Sequence, residues 1–268
     1  MKILVIGDIV GRPGRAVIER EVIRLREERA IDLVIANCEN AAGGAGITPS
    51  TADELFRAGV DVLTSGNHVW KKREAFDLLK LDHRVIRPAN YPDGAPGTGS
   101  TVVETLAGQK VGVLNVMGRV FMEPLDCPFR TAERELARLS LVTPVIIVDM
   151  HAEATSEKVA MGWFLDGKVS CVFGTHTHIP TADERILPKG TAFITDVGMT
   201  GPYDSVIGRR VDQILERFLS NIPNRSEVAE GNVQLRGLLI EVTPSTGKAT
   251  AVERITRTLG HAIHDARE

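Results

Sequence analysis

Residues 2–8 read Lys-Ile-Leu-Val-Ile-Gly-Asp, a short apolar run that ends abruptly in a glycine and a carboxylate. Such an aliphatic run, bounded by a turn signal, predicts a buried β-strand. A Gly/Pro-rich turn follows, and apolar residues between 17 and 25 then recur at helical spacing, which predicts a helix over about 14–29. A strand that leads into a helix is the unit from which α/β domains are built, so this stretch sets the expected fold class.

The same alternation continues along the chain. Further strands are predicted where short apolar runs recur, at residues 33–36, 60–64, 144–148, 169–173 and 192–195. Amphipathic spacing predicts helices at residues 71–81, 130–140, 154–164 and 210–220, and one more that begins at Thr48-Pro49 and ends at Gly59. Hairpins are predicted at 101–116 and 234–255. We therefore expect one α/β domain over residues 1–268, with mixed β-sheets sandwiched between α-helices.

The composition argues against several classes of protein. The 32 lysines and arginines and 35 aspartates and glutamates give a net charge of −3, without the basic excess of a dedicated nucleic-acid binder. Cys38, Cys127 and Cys171 lie far apart and form no Cys-x-x-Cys pair, which suits a reducing compartment. No apolar run approaches the ~18 residues of a membrane span. We therefore expect a cytoplasmic protein that has no membrane contact and forms no stable nucleic-acid complex.

Polar side chains of a particular kind follow the predicted strands. In α/β sheets, ligands bind beyond the carboxyl ends of the strands, so residues at those ends are the candidates for a site. The residues found there are Asp8 after the first strand, Glu39 and Asn40 after the second, Asn67 and His68 after the third, His151 after 144–148, and His176 and His178 after 169–173. Four of the seven histidines thus converge on strand ends, whereas His83, His261 and His264 have no ligand-like neighbours.

The convergent set has the chemistry of a metal site. Carboxylate, amide and imidazole groups without thiolates suit manganese, iron or zinc rather than a cysteine-rich structural zinc site. Two histidines one residue apart, as in His176-x-His178, can face different metals if the chain turns between them. Glu39 has two carboxylate oxygens and can bridge two cations. The set therefore predicts a two-metal site of the kind that activates water and clamps a phosphoryl group.

At these positions the sequence resembles the calcineurin-like metallophosphoesterases. Their ordered signature is an N-terminal Asp, a bridging carboxylate, Gly-Asn-His, a lone His and Gly-x-His-x-His. It falls here on Asp8, Glu39, Gly66-Asn67-His68, His151 and Gly174-Thr175-His176-Thr177-His178. The matches occur in the correct order over more than half of the chain. The resemblance implies a sandwich of mixed β-sheets flanked by α-helices.

Two departures from this signature resemble one branch of the superfamily. The usual Asp-x-His is Asp8-Ile9-Val10 here, and the usual acidic residue after Gly-Asn-His is Val69. Together with the stretches Asn-Cys-Glu-Asn-Ala-Ala-Gly-Gly, His-Ala-Glu-Ala-Thr-Ser-Glu-Lys and Thr-Asp-Val-Gly-Met-Thr-Gly-Pro, these departures look like the bacterial YmdB-like branch. That resemblance covers nearly the whole length. It implies a phosphodiesterase acting on 2′,3′-cyclic nucleotides, such as 2′,3′-cAMP, with a di-iron or di-manganese centre.

The resemblance also implies a role for each residue. One metal ion would be held by Asp8, Asn40 and His178, the other by Asn67, His151 and His176, and Glu39 would bridge the two. A hydroxide between the metals would attack phosphorus in line. Asn40 would supply an amide oxygen in place of the missing histidine. His68 would donate a proton to the leaving oxygen or a hydrogen bond to the phosphate, although Val69 cannot orient it as an acid would.

Two other hypotheses stay open at this point. A non-catalytic regulator could bind a nucleotide through a degenerate centre, because one ligand histidine and the acidic partner of His68 are absent. A broader phosphodiesterase or nuclease would belong to the same enzyme class, although the net charge does not favour a long polyanion. The sequence also leaves open whether the chain forms a homo-oligomer.

Overall fold

A computed structural model describes residues 1–259 of the chain. Two mixed β-sheets pack face to face and carry helices on both outer surfaces, which confirms the predicted fold class. His261 and His264, for which no ligand role was expected, lie outside the described residues.

The helices and strands follow one another in the order that the sequence predicts, with three additional short strands. The helices are α1 (Gly11–Arg29), α2 (Pro49–Arg57), α3 (Ala75–Leu81), α4 (Pro128–Leu139), α5 (Thr155–Leu165) and α6 (Val211–Ser220). The strands are β1 (Lys2–Ile6), β2 (Asp8–Ile9), β3 (Leu33–Asn37), β4 (Val62–Thr64), β5 (Ser100–Glu104), β6 (Lys110–Met117), β7 (Ile146–His151), β8 (Cys171–Thr175), β9 (Arg185–Ile186), β10 (Ala192–Ile194), β11 (Met199–Pro202), β12 (Val233–Val242) and β13 (Ala249–Thr258). Within residues 1–259, no helix combines the length and apolarity needed to cross a bilayer.

The first sheet is built on three parallel strands. Its order is β2-β11-β12-β1-β3-β4, with β13 paired to β12, and β1, β3 and β4 run parallel to one another. Successive side chains of β1 point to opposite faces: Ile3 and Val5 join the core between the sheets, while Leu4 and Ile6 join the core that includes α1. Both faces of β1 are covered, and its residues are therefore apolar throughout rather than alternating.

The second sheet has the order β5-β6-β7-β8-β10-β9, in which β6, β7, β8 and β10 are parallel. Val113, Ile147 and Phe173 face the first sheet, and Leu114 and Val148 face the core under α4 and α5. The inner core is therefore shared by the two sheets, and the carboxyl ends of both sets of parallel strands reach the same edge.

The structure differs from the sequence-based expectation at two helix starts. Helix α1 begins at Gly11 rather than near residue 14, because Pro13 lies in the first turn, where its missing N–H would have no intrahelical partner. Helix α3 begins at Ala75 rather than at residue 71, since the preceding residues form a separate 3₁₀ turn, Val69–Lys71. Both predicted hairpins, β5–β6 and β12–β13, are confirmed as antiparallel pairs.

Three strands have no apolar run that could have predicted them. Strands β2 and β9 contain two residues each, and β11 reads Met-Thr-Gly-Pro, which has the composition of a turn. Strand β11 exists because its backbone pairs with β2 on one side and β12 on the other. This pairing extends the first sheet past Asp8 and packs Gly7 against Gly198, the residue that precedes β11.

Gly7 provides a test of this close approach. A Cβ atom at Gly7 would lie 1.7 Å from the carbonyl oxygen of Gly198, a backbone atom that cannot move without displacing β11. We expect Gly7→Ala to lower the free energy of unfolding, measured in urea, by about 3 kcal/mol or more. At Gly112 a Cβ would meet only side chains at 3.4 Å or beyond, so Gly112→Ala should change stability little. Equal losses in the two variants would contradict this account.

Candidate metal centre

The structure brings all the predicted site residues into one cluster at the shared carboxyl edge of the sheets. The positions are Asp8 at the start of β2, Glu39 and Asn40 just after β3, Asn67 and His68 just after β4, His151 at the end of β7, and His176 and His178 just after β8. Most of these side chains are buried, and His68, Asn67 and His176 are partly exposed. The cluster therefore lies at the mouth of the sandwich, with its deeper side enclosed by protein.

One half of the cluster surrounds the Nε2 atom of His151. This nitrogen lies 3.0 Å from Asn67 Oδ1, 3.2 Å from Glu39 Oε2 and 3.1 Å from His176 Nδ1. Two imidazole nitrogens, an amide oxygen and a carboxylate oxygen thus converge within reach of a single cation.

The other half lies on the opposite side of the Glu39 carboxylate. His178 Nε2 is 3.2 Å from Asn40 Nδ2 and 3.9 Å from Asp8 Oδ1, and Asn40 Nδ2 is 3.1 Å from Glu39 Oε1. Asp8, Glu39 and His178 offer ligand atoms that lie within 4.8 Å of one another. Glu39 therefore contributes one oxygen to each half of the cluster.

The ring nitrogens that point away from the cluster are engaged by neighbouring acceptors. His178 Nδ1 lies 3.0 Å from the carbonyl oxygen of Ile207, which can only accept, so this nitrogen carries the proton. His176 Nε2 lies 3.2 Å from Glu153 Oε2, which likewise favours a proton on that nitrogen. In both rings the nitrogen that faces the cluster then carries no proton and has a lone pair available, as a metal ligand requires.

His151 is oriented by a longer chain of hydrogen bonds. Its Nδ1 lies 2.9 Å from the hydroxyl of Thr175, and that hydroxyl donates to Asp149 Oδ1 at 2.7 Å. Because the hydroxyl proton is committed to Asp149, the Thr175 oxygen accepts from His151 Nδ1. Nε2 of His151 is thereby directed at the cluster, where it becomes a ligand atom once its proton is displaced.

The donor set fits a bound cation. Asp8 Oδ1 is buried and has no hydrogen-bond partner among residues 1–259, while Oδ2 accepts from the His176 backbone N–H at 3.1 Å. An unpaired buried carboxylate oxygen is costly unless a cation or donor satisfies it. Oxygen and imidazole ligands without thiolates match manganese, iron or zinc.

Electrostatics within the cluster favour an ionised Glu39. Burial opposes its ionisation, but the adjacent His151 and His68 outweigh burial and hold the pKa of Glu39 below its usual range. Burial also lowers the pKa of His151, yet the Glu39 carboxylate outweighs this effect and raises it to about 9. Burial raises the pKa of Asp8. A cation entering the cluster would therefore meet the charged Glu39 carboxylate and would have to displace a proton from His151.

His68 has a partner that the sequence did not reveal. Its Nδ1 lies 2.7 Å from Asn40 Oδ1, and its backbone N–H donates to Glu39 Oε2 at 3.1 Å. Val69 is buried and takes no part. The Asn40 amide, rather than a residue at position 69, is thus the hydrogen-bond partner of the His68 ring and links it to the cluster.

Several residues that orient the cluster were not among the predicted site residues. Glu153 follows His151 by two residues in the stretch His-Ala-Glu, and this proximity was an available signal. Asp149 shares its strand with His151 and points, two residues earlier, to the same face of the sheet. The contact of His178 with the Ile207 carbonyl could not be predicted, because every residue has a backbone carbonyl and the amino-acid sequence does not mark which one is used.

Two mixed sheets between helices, with carboxylate, amide and histidine groups at one edge, define a protein of the metallophosphoesterase type. Residues 4–255 match the family described as YmdB-like protein. The chain belongs to this family, which confirms the resemblance that the sequence motifs suggested.

Known proteins resemble the chain over nearly its whole length. A protein of Bacillus subtilis (strain 168) named 2′,3′-cyclic-nucleotide 2′-phosphodiesterase is 49% identical over 255 residues, covering 95% of this chain and 96% of that protein. A solved structure of a hypothetical protein from Thermus thermophilus has a TM-score of 0.90 and 41% identity, with 96% and 99% of the chains covered. Another, described as a novel phosphatase from Mycoplasma pneumoniae, has a TM-score of 0.90 and 36% identity, with 96% and 93% covered.

Asp8 should couple stability to cation binding. In the presence of a chelator, Asp8→Asn removes a buried negative charge whose Oδ1 atom has no hydrogen-bond partner among residues 1–259, so we expect the free energy of unfolding to rise by about 1 kcal/mol. With Mn²⁺ at about 100 times its Kd, the native protein should gain about 2.7 kcal/mol and the variant much less. Thermal melting in chelator and in Mn²⁺ measures both effects.

The matched control is Asp166→Asn, a buried aspartate at the end of α5 that accepts from the Lys189 backbone N–H. This control should lose stability in chelator and keep the full Mn²⁺ response. The account is wrong if Asp8→Asn responds to Mn²⁺ as strongly as the native protein does.

Proposed function

We propose that this chain is a metal-dependent phosphodiesterase that hydrolyses 2′,3′-cyclic nucleotides, such as 2′,3′-cAMP, at a centre of two metal ions. The observation that carries the proposal is the placement of Glu39, whose two oxygens face two separate groups of candidate ligand atoms. The name and 49% identity of the Bacillus subtilis relative support the substrate class. Iron and manganese are the expected metals, because the resemblance to the YmdB-like branch implies them and the oxygen and imidazole donors suit both.

The chain supplies ligands for both ions and a bridge between them. We assign Asn67, His151 and His176 to one ion, Asp8, Asn40 and His178 to the other, and Glu39 to both. When bound, two such ions supply Lewis-acid chemistry that lowers the pKa of water and offsets the charge of the phosphoryl group. Among these residues, Asn40 requires a change of orientation, because its nitrogen faces His178 and Glu39 in the structure.

Rotation of the Asn40 side-chain amide by about 180° would exchange the positions of its oxygen and nitrogen. This rotation would also define the role of His68. The amide oxygen would then face the ion, and the amide NH₂ would donate to His68 Nδ1. With Nδ1 accepting, the proton of the neutral ring resides on Nε2. The His68 side chain is about one-third exposed, so this proton can reach a phosphate or a leaving oxygen at the mouth of the site.

Substrate choice tests the proposed activity against its alternatives. With Mn²⁺ added, we expect about two metal ions per chain and hydrolysis of 2′,3′-cAMP well above that of 3′,5′-cAMP and of a short RNA. Glu39→Gln should abolish turnover, because it removes the charge that the two halves share. Nucleotide binding without turnover in the metal-loaded protein would favour the regulator, and preferred cleavage of RNA would favour a nuclease. Fewer than about one metal per chain would refute the dinuclear centre.

His68 should affect turnover without affecting metal content. We expect His68→Ala to lower kcat for 2′,3′-cAMP by about 10²- to 10⁴-fold, the usual contribution of a positioned proton donor. Mn²⁺ binding, measured by calorimetry, should stay within about twofold of the native value, since His68 is not assigned as a ligand. The exposed His83 gives the control substitution, His83→Ala, which should leave kcat unchanged. A His68→Ala enzyme with native kcat would show that His68 has no catalytic role.

A further inference from the structure

The loop that carries two of the proposed ligands has an unusual backbone. His176 and His178 have φ angles of 93° and 66°, both in the left-handed region that residues with side chains seldom adopt. Thr177 lies between them. Such a conformation persists only where the surrounding structure enforces it. The contacts of Thr177 are therefore expected to hold the two histidines in this conformation.

Asp196 holds Thr177 by both its side chain and its backbone. One oxygen of the Asp196 carboxylate accepts from the Thr177 hydroxyl at 2.6 Å and from the Thr177 backbone N–H at 3.3 Å. The other oxygen accepts from the Gly198 backbone N–H at 2.7 Å. The turn between the two histidines is therefore attached to the segment that leads into β11.

Lys158 completes this arrangement from the opposite side. Its Nζ lies 2.6 Å from Asp196 Oδ2 and donates to the Thr177 hydroxyl at 3.1 Å. The Lys158 stem passes beneath Gly174, where a Cβ atom would lie 2.9 Å from Lys158 Cδ. The tighter constraint at Gly174 is the Thr195 carbonyl oxygen, which would lie 1.8 Å from such a Cβ atom.

Stability alone does not explain a lysine at this position. Lys158 is 1% exposed and lies in the first turn of α5, where the helix dipole disfavours a positive charge. A buried ion pair is often no more stabilising than apolar residues of similar size. The pair does, however, fix geometry, because both of its members form charge-assisted hydrogen bonds with the Thr177 hydroxyl.

We propose that Lys158 and Asp196 are positioning residues that set the directions of His176 and His178 through Thr177. The fixed turn sends the His176 ring toward the half of the cluster around His151 and the His178 ring toward the half around Asp8. This inference rests on the proposed metal centre. It gives a function to Lys158 and Asp196, neither of which is among the assigned metal ligands.

The substitution Thr177→Val tests the inference, because it replaces the Thr177 hydroxyl by a methyl group of similar size. In Thr177→Val the ion pair stays intact, but the turn loses its side-chain attachment. We expect Mn²⁺ affinity, measured by calorimetry, to fall by about 10- to 100-fold, as substitution of a residue that orients metal ligands commonly does. Thr177→Ser keeps the hydroxyl and should restore affinity to within about threefold of the native value.

The control is Thr191→Val, at the residue that immediately precedes β10. Thr191 is fully buried and its hydroxyl donates to the Val169 carbonyl oxygen at 2.7 Å, away from the cluster. Both valine variants should show similar losses of melting temperature in chelator, while only Thr177→Val should lose Mn²⁺ affinity. Equal Mn²⁺ affinity in the two variants would overturn the inference.

A second variant keeps the inference testable if single changes at the ion pair do not fold. Lys158→Met combined with Asp196→Asn removes both charges together, so neither is left buried alone. This double variant should fold, as judged by circular dichroism, and bind Mn²⁺ as weakly as Thr177→Val; native affinity would contradict a positioning role. Failure of the native protein itself to bind Mn²⁺ would instead refute the proposed metal centre.

Discussion

The rest of the site depends on the hydrogen bonds that the Asp149 carboxylate accepts. This carboxylate is fully buried and accepts hydrogen bonds from Thr64 Oγ1 at 2.5 Å, Thr175 Oγ1 at 2.7 Å and Asn37 Nδ2 at 3.1 Å. Burial raises its pKa to about 6, and His151 and the hydroxyl donors limit that rise. The three donors lie at the ends of β3, β4 and β8, so one carboxylate ties the two sheets together at the edge where the ligands emerge. A small shift between the sheets would misplace His151, because Thr175 joins that ring to Asp149.

The residues of the site could be predicted from the sequence because strand ends are visible as breaks in apolar runs. The rule that ligands gather beyond the carboxyl ends of parallel strands then brings distant residues such as Asp8 and His151 to one place. The partners of the histidines could not be predicted in this way. Whether Asn40 faces His68 depends on side-chain torsions, and β11 depends on backbone pairing, neither of which alters the pattern of apolar residues.

The fold gathers ionisable side chains at one edge of the sheets, although the overall composition gives no sign of a charged site. A net charge of −3 spread over the chain gives no sign of an anion-binding surface. The cluster instead gathers carboxylates that would take up cations, and two divalent cations would more than offset that net charge. With those cations bound, the site proposed above would be a local positive centre that suits one phosphate group rather than a polyanion.

His178 is held by a carbonyl group of the main chain rather than by a side chain. Ile207, which provides that carbonyl, has a φ angle of 46° and a side chain that is about half exposed. Its contribution to the site does not depend on which side chain it carries, and glycine or asparagine would suit its backbone conformation better. A substitution at position 207 would therefore change the exposed surface of this loop without removing the carbonyl oxygen that His178 contacts. The outer rim can be altered there while the His178 ring keeps its direction toward the cluster.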